Sequence, residues 1–588
     1  MLLSLPLVAE LRRRRVFRAL VGYAIVAFAV LQIIEPVMHG LHWPDSVLSY
    51  VVVALALGFP LVVTLAWIFD VKQGRIERTA PEPAGSQQGT RGVRVALLLV
   101  GIGVLAATPG LVWYFVLRRP AEMTQRVAAV QEPGPSIAVL PLVNLSSDRE
   151  QEYFSDGLSE ELLNLLANVP GLRVAARTSA FAFKGKNEDV SAIAQKLHVA
   201  TILEGSVRKA GDQIRITTQL INAADGYHLW SETYDRKLTD VFAVQDEIAR
   251  AVVAALKLRL LHAPTSKERR TASTEAYNQY LLGRQFFRRN NVDGFRRAQL
   301  AYEKAVALDP AYAPAWAGLA LATFWVADSS ESAAALAAGQ ERAVEAADKA
   351  IALGRDLPDG YLARGFVRVP IQWDWEGSRA DMEQALTLRP EDPDTLSEYA
   401  TVVLRPLNRL PQAISALRKA IESDPLNPRI WSALGNSLAM NGQRGPAREA
   451  FNRSLEISPD QSFTPYNLSL TFLVDGQDAD ALAASQRSTN EVFRLAGAAL
   501  AQHGLNRERE AQQALDQLIA RWGHGAAYQI AQNYAWRGEQ DRALEWLERA
   551  VKQRDGGLVN IKVDPMLQRL HGDPRYAALL KKMNLPPD

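Results

Sequence analysis

At 588 residues the chain exceeds what one hydrophobic core serves, and a prior of about 150 residues per domain predicts three or four units. Lysine plus arginine number 66 against 64 aspartate plus glutamate, a near-neutral balance that gives no global attraction to nucleic acid or other polyanions. Cysteine is absent, which removes disulfides, thiolate metal ligands and cysteine nucleophiles together.

The first 120 residues differ in kind from the rest. Three apolar runs cover about 16–38, 47–69 and 93–117, broken only by a few polar residues such as Arg18, Glu35 and Arg94. Each is long enough to cross roughly 30 Å of hydrocarbon as a helix, and three long runs do not fit a cleaved signal peptide. Arg12 to Arg15 and Arg18 flank the first run, the connection His39 to Ser46 has no basic residue, and the next carries Lys72, Arg75, Arg78 and Arg91. Short basic segments stay cytoplasmic. The expectation is three transmembrane helices in a bacterial inner membrane, with the N-terminus cytoplasmic and everything after Ala121 periplasmic, although Arg118 and Arg119 oppose this weakly. The arginine run is read as an anchor to the lipid bilayer rather than a nucleic-acid patch.

Residues 121–135 read as a tether, and 136–262 as a small α/β domain. Ile137 to Leu142 is predicted as a strand, Tyr153 to Ala167 as a helix, Leu172 to Ala176 as a strand and Val190 to Leu197 as a helix capped by Asp189. Thr201 to Arg208 and Gln213 to Ile221 form a hairpin around Ala210-Gly211-Asp212, Leu229 to Tyr234 is a further strand, and Phe242 to Leu258 a closing amphipathic helix.

Within that domain the acids Asp148, Glu150, Glu152, Asp156, Glu160 and Glu161 raise the question of an active or metal site. The residues after the alternating Asp148, Glu150 and Glu152 are Tyr153-Phe154, not the glycine a calcium loop needs. The preferred reading is a solvated loop and the charged opening turn of a helix capped by Ser155 or Asp156. "TSAFAFKGK", Thr178 to Lys186, is the stronger binding candidate through Phe181, Phe183, Lys184 and Lys186, against a plain strand edge with one buried phenylalanine. His228, Trp230, Glu232 and Asp235 read as a packing face, since no serine or cysteine nucleophile stands in an elbow nearby. "EGSVRKAGD" has no phosphate-loop pattern and the eight histidines form no zinc-binding set, so neither cofactor nor catalytic residue is predicted.

Residues 273–588 are alanine-rich helices with no strand signal. In "LNPRIWSALGNSLAMNGQRGPAREAFNRSLEISP", Trp431, Leu434, Gly435, Ala447, Phe451 and Pro459 stand at the spacings of a tetratricopeptide repeat (TPR). Earlier units close at Pro425, Pro390 and Pro310, and the first two gaps match the roughly 34-residue period. Six to eight units are expected, with Ser329 to Gly339 as an insertion. Such a solenoid binds a protein segment, and Trp316, Trp431 and Asn436 are its candidate contacts. The fold class is therefore multi-domain: three membrane helices, a small α/β domain and an all-α solenoid.

The segments "SIAVLPLVNLSSD", "YFSDGLSEELLNLLANVPGLRVAARTSAFAFKGK", "LEGSVRKAGDQIRITTQLINAADGYHLWSETYDR" and "VFAVQDEIARAVVAAL" resemble the amino-terminal domain of TolB-like, FlgO-type proteins in the form fused to TPR repeats. Relatives in that group carry a class III cyclase or a CadC-type DNA-binding domain on the cytoplasmic side. Only about 15 residues precede the first run here, so neither activity is carried over. The resemblance implies a membrane-anchored, non-enzymatic periplasmic scaffold or sensor. A regulator acting across the membrane on a separate cyclase or transcription factor is the alternative, and an envelope hydrolase the third. Partner, ligand and oligomeric state are left open.

Overall fold

The computed structural model describes residues 135–148, 151–256, 271–329 and 333–586, together with positions 23, 26, 27, 29, 30, 55, 69–72 and 75–78. The chain divides into two compact units, Met1–Glu132 and Pro133–Asp588. In the first, positions 23, 26, 27, 29, 30 and 55 of the first two apolar runs are helical. Strand β1 (Phe69–Lys72) pairs antiparallel with β2 (Arg75–Arg78), Val71 facing Ile76 across the register. This pair was not predicted, because a period-two pattern four residues long is too short to read in a basic loop. Otherwise the three predicted spans and the tether lie outside the described residues, and among those described no helix is long and apolar enough to cross a membrane.

The second unit opens with β3 (Ser136–Val139), β4 (Val143–Asn144), α1 (Glu152–Ala167), β5 (Arg173–Val174), α2 (Arg177–Phe181) and α3 (Val190–Leu197). It continues through β6 (Thr201–Ala210), β7 (Gln213–Asn222), β8 (His228–Lys237) and α4 (Val241–Ala255). The sheet order is β5-β3-β6-β7-β8, with β4 also pairing β6. Strand β3 is parallel to both neighbours, whereas β6, β7 and β8 run antiparallel. Alternation on β3 feeds two cores. Ile137 and Val139 join Leu158 and Leu162 of α1 and Val244 and Ile248 of α4, while Ala138 and Leu140 join Phe183, Ile193 and Leu197 on the other face. Asp189 caps α3 as its position suggests, accepting from Ser191 N at 2.9 Å and Ala192 N at 3.3 Å.

Two local expectations are corrected. Helix α1 begins at Glu152 after Gln151 with no side-chain cap, so Ser155 and Asp156 lie inside it rather than capping it. "TSAFAFKGK" is not a strand edge: it forms α2 followed by turns that end at Gly185, whose φ is +71°. Its Phe-Ala-Phe alternation mimics a strand, but Ser179 bonds elsewhere, as described below, and fixes the helical turn.

Among the described residues, helices then stack in eight pairs. These are α5 (Thr274–Phe287) with α6 (Val292–Leu308), α7 (Ala313–Asp328) with α8 (Ala333–Leu353), α9 (Pro358–Gln372) with α10 (Trp375–Leu388), and α11 (Pro393–Glu398) with α12 (Leu410–Ser423). The rest are α13 (Pro428–Met440) with α14 (Arg444–Ile457), α15 (Thr464–Val474) with α16 (Asp478–Gln486), α17 (Glu491–Gly504) with α18 (Glu508–Trp522), and α19 (Ala527–Trp536) with α20 (Gln540–Gln553). A π-helical stretch, Tyr399–Leu404, prolongs α11. Pro358, Pro393 and Pro428 occupy the first turn of successive leading helices, where a missing N–H costs nothing. The segment read as an insertion is largely helical: α8 takes up its end and reaches 21 residues, with Gly339 against Ala327 of α7.

Two short 3-10 turns and α21 (Pro574–Lys582) cover the last pair. The stack curls far enough for its end to meet its third pair. The Trp375 indole donates to the Met583 carbonyl at 2.6 Å, and Trp373 and Trp375 share one core with Leu579, Leu580 and Leu585.

Within a pair the small residues set the approach. A Cβ on Gly435 of α13 would stand 2.6 Å from the Phe451 ring of α14, closer than carbon atoms tolerate, and Phe451 is fully buried. Gly435→Ala is expected to destabilise the unit by about 1–3 kcal/mol, the range for overpacking a tight core. Gly445→Ala, where nothing lies within 4 Å of the added carbon, should not. Thermal melts of the two variants check this.

Candidate functional site

The tryptophans predicted as groove contacts are turn anchors. Trp316 Nε1 donates to the Pro310 carbonyl at 2.9 Å and Trp431 Nε1 to the Pro425 carbonyl at 2.8 Å. Both stand at the same place in "DPAYAPAW" and "DPLNPRIW", so each ties a leading helix to the turn before it. Asn436, on α13, is 8% exposed. No hydrogen-bond partner holds its side chain among the described residues.

Arg405, at the end of the π-helical stretch, was not singled out by sequence. It is 7% exposed, and its Nε and Nη1 are buried without a partner among the described residues, as is Nδ2 of Asn467 on α15. Burial pulls the Arg405 guanidinium down to about 10, against the opposing pull of the Glu398 carboxylate. Burial in turn raises Glu398, with Arg429 and Arg405 opposing. Buried donors normally bond to something, so these repeats carry donors that a carbonyl, a carboxylate or a water can fill.

A second constellation lies where the sheet domain meets the first repeat. The Gly157 position of α1 lies close to Leu281 of α5, where a Cβ would stand 2.6 Å from a methyl carbon. Beside this approach Glu160, read from sequence as a solvated helix-opening charge, is instead 5% exposed. It accepts from Arg177 Nε at 3.1 Å, from Arg284 of α5 and from Arg288, the residue that ends α5. Arg284 also donates to Glu161 at 2.8 Å. A cleft of about 250 Å³ opens there, lined among others by Asp156, Arg177, Arg284, Arg288 and Arg289. Burial lowers the Arg177 guanidinium to about 9 and the Arg284 guanidinium to about 10, the Arg288 charge adding to both.

Of the residues predicted in "TSAFAFKGK", two face this junction. Phe181 lies under the Arg177 guanidinium, 3.7 Å from carbon to ring centre. Lys184 pairs with Asp156 at 2.6 Å and Glu152 at 2.7 Å. Phe183 is core, with the Lys186 ammonium 5.9 Å and the Lys196 ammonium 5.6 Å from its ring centre. Helix α2 also docks on the turn between α12 and α13. Asp424, 1% exposed, accepts from Ser179 N at 2.9 Å and Ser179 Oγ at 2.6 Å, while Leu426 N donates to Ser179 Oγ at 2.8 Å.

On the edge strand β8, Glu232 accepts from the Tyr234 hydroxyl at 2.9 Å and Asp235 pairs with Arg215 at 2.6 Å. Charges along such an edge discourage sheet-to-sheet pairing. Among the described residues no group of three His, Asp or Glu side chains is placed to hold a metal.

No family model matches the chain. It is 39% identical over 216 residues, 36% of its length, to a Rhizobium meliloti (strain 1021) protein provisionally named adenylate cyclase 3, and spans 37% of that protein. It is 29% identical over 96 residues, 16% of its length, to human tetratricopeptide repeat protein 13, of which it spans 11%. Among solved structures, YrrB, described as a TPR protein with an unusual peptide-binding site, covers 37% of this chain and 98% of its own at 21% identity and a TM-score of 0.26. The helix pairs, their period and their glycine–aromatic contacts describe a mostly helical, TPR-like solenoid with a small sheet region ahead of it.

Proposed function

We propose that this chain is an interaction scaffold that holds a protein partner on its repeats and is tethered to a membrane by the three apolar runs in residues 16–117. The observation that carries the reading is the buried donor set of the middle repeats. Arg405 and Asn467 present N–H groups with no partner among the described residues, and Asn436 lies on the helix between theirs in the repeat order. Such donors are expensive to leave unmade, and a partner's backbone carbonyl or carboxylate fills them. The tether rests on the length and charge flanks of the apolar runs. A sensor role with the soluble part in the periplasm belongs to the same reading. The cyclase activity named for the rhizobial relative is not part of it.

A photo-crosslinking amino acid at Asn436 tests the reading in whole cells. One discrete adduct is expected in the membrane fraction, lost on Arg405→Gln, and absent when the probe stands at exposed Arg453 of α14. Equal labelling from both positions, or an adduct indifferent to Arg405, would overturn the proposed mode of binding; recovery of the chain in the soluble fraction would overturn the tether.

A further inference from the structure

The arginines around Glu160 outnumber the acids that face them. The cleft wall carries Arg177, Arg284, Arg288 and Arg289 against Asp156 and Glu160, and Asp156 is already bonded to Lys184 at 2.6 Å. With Glu161 on Arg284 and Lys184 shared between Asp156 and Glu152, five cations face four carboxylates, which leaves one surplus positive charge on a half-buried wall.

Several of their N–H groups are also free. Arg177 spends only Nε on Glu160, and its flat face is held against Phe181. Both its terminal nitrogens have no partner among the described residues. Arg288 spends only Nη2 on Glu160, and Arg289 makes no ion pair among the described residues while resting over the Phe286 ring at 4.8 Å. Burial and mutual repulsion depress Arg177 and Arg284, as expected where positive charge is under-compensated in a poorly solvated place.

We propose that this cleft is a binding site for a phosphate group, free or on a small phosphate ester, bridging Arg177 of the sheet domain and Arg288 of the first repeat. A phosphate carries about −1.5 to −2 near pH 7 and three acceptor oxygens, enough to take the surplus charge and several of these N–H groups at once, where a carboxylate offers only two oxygens. Planar guanidiniums with free paired N–H groups suit such oxygens. The cleft volume of about 250 Å³ leaves room for a small organic group beyond the phosphate. Glu160 holds the arginines converged, so the site is formed before the anion arrives. A ligand that bridges the two modules stabilises their docked arrangement in proportion to its occupancy. The site is independent of whether the repeats hold a protein partner.

Calorimetric titration of the full-length chain with inorganic phosphate, at constant ionic strength set by sodium chloride, tests this. One saturable site is expected, with affinity lowered about 10- to 100-fold by Arg288→Gln, the range for losing hydrogen bonds to a charged group. Arg289→Gln breaks no contact within the fold beyond ring stacking, so it tests the site even if Arg288→Gln unfolds, and should weaken binding severalfold. Arg448→Gln, which lies in α14 at an ion pair with Asp475, should leave binding unchanged. A small phosphate ester competing for the same heat would identify the ester as the natural form, and phosphate alone would identify the free ion. No saturable heat up to tens of millimolar phosphate, or equal affinity in the Arg289 variant and the parent chain, would overturn the proposal.

Discussion

Replacing Glu160 with alanine is expected to destabilise the docking of the sheet domain on the first repeat by about 3 kcal/mol. That is the lower end of the range for removing one partner of a buried charge pair. The lower end applies because the partner guanidiniums retain 18%, 23% and 30% of their side-chain exposure, so water reaches them once the carboxylate is gone. The loss concentrates where the contacts are. Hydrogen exchange at the amides of α1 and α5 should accelerate about a hundredfold, since each 1.4 kcal/mol is a factor of ten, while α17 to α20 keep their protection. Glu161→Ala is the comparison. Glu161 pairs with Arg284 at 2.8 Å but keeps 25% of its side-chain exposure, so its loss should cost under about 1 kcal/mol. If the two substitutions behave alike, Glu160 is only a spectator charge and the convergence of arginines on it contributes nothing to docking.

That hub shows where the sequence stops being legible. The hairpin of β6 and β7 could be read because its turn residues and its alternation both lie within ten residues, and Asp189 because a cap bonds two and three residues onward. Helix α1 was found to within one residue from Leu158, Leu162 and Leu166. Its acids were misjudged because the groups that decide their state, Arg284 and Arg288, lie 124 and 128 positions away. The signal available was two arginines four apart at the end of α5, a spacing that shares one helical face, but nothing in the chain says which carboxylate they meet. The same distance problem hid the Trp375 bond to Met583, 208 residues on. "TSAFAFKGK" failed for a related reason: its alternation is real, and the docking partner that overrides it is the turn at Asp424. Repeats were the easiest to read, because each glycine–aromatic pair and each first-turn proline recurs locally. The bonds by which Trp316 and Trp431 tie each leading helix to the proline six residues upstream were not legible from the spacing alone.

The second docking point, Asp424 with Ser179, should respond to both mutation and pH. Ser179 Oγ donates to Asp424 and accepts from Leu426 N, so Ser179→Ala removes two bonds at once, one of them to a charged group. An expected loss of about 1.5–3 kcal/mol follows, and Asp424→Ala should cost at least as much, since it leaves Ser179 N and the Asn427 amide without their acceptor. The double variant should fall short of the sum by about 1–3 kcal/mol if the two side chains act on each other. The pH dependence has a definite sign. Burial holds the Asp424 carboxyl above its ordinary range, while the Ser179 and Asn427 bonds pull the other way. A carboxyl that titrates higher folded than unfolded binds more protons in the folded chain, so its contribution declines as pH rises from about 4, the unfolded value, through the folded pKa. Asp424→Asn keeps an acceptor oxygen and abolishes the titration, so its stability relative to the parent should rise with pH across that window. Ser179→Ala, which removes a bond to the charged form, should steepen the parent's decline. A relative stability of Asp424→Asn that stays flat or falls with pH would mean that the bonds, not burial, govern the carboxyl. The sheet domain would then be held at this point by a fixed charge rather than by one that protons can relieve.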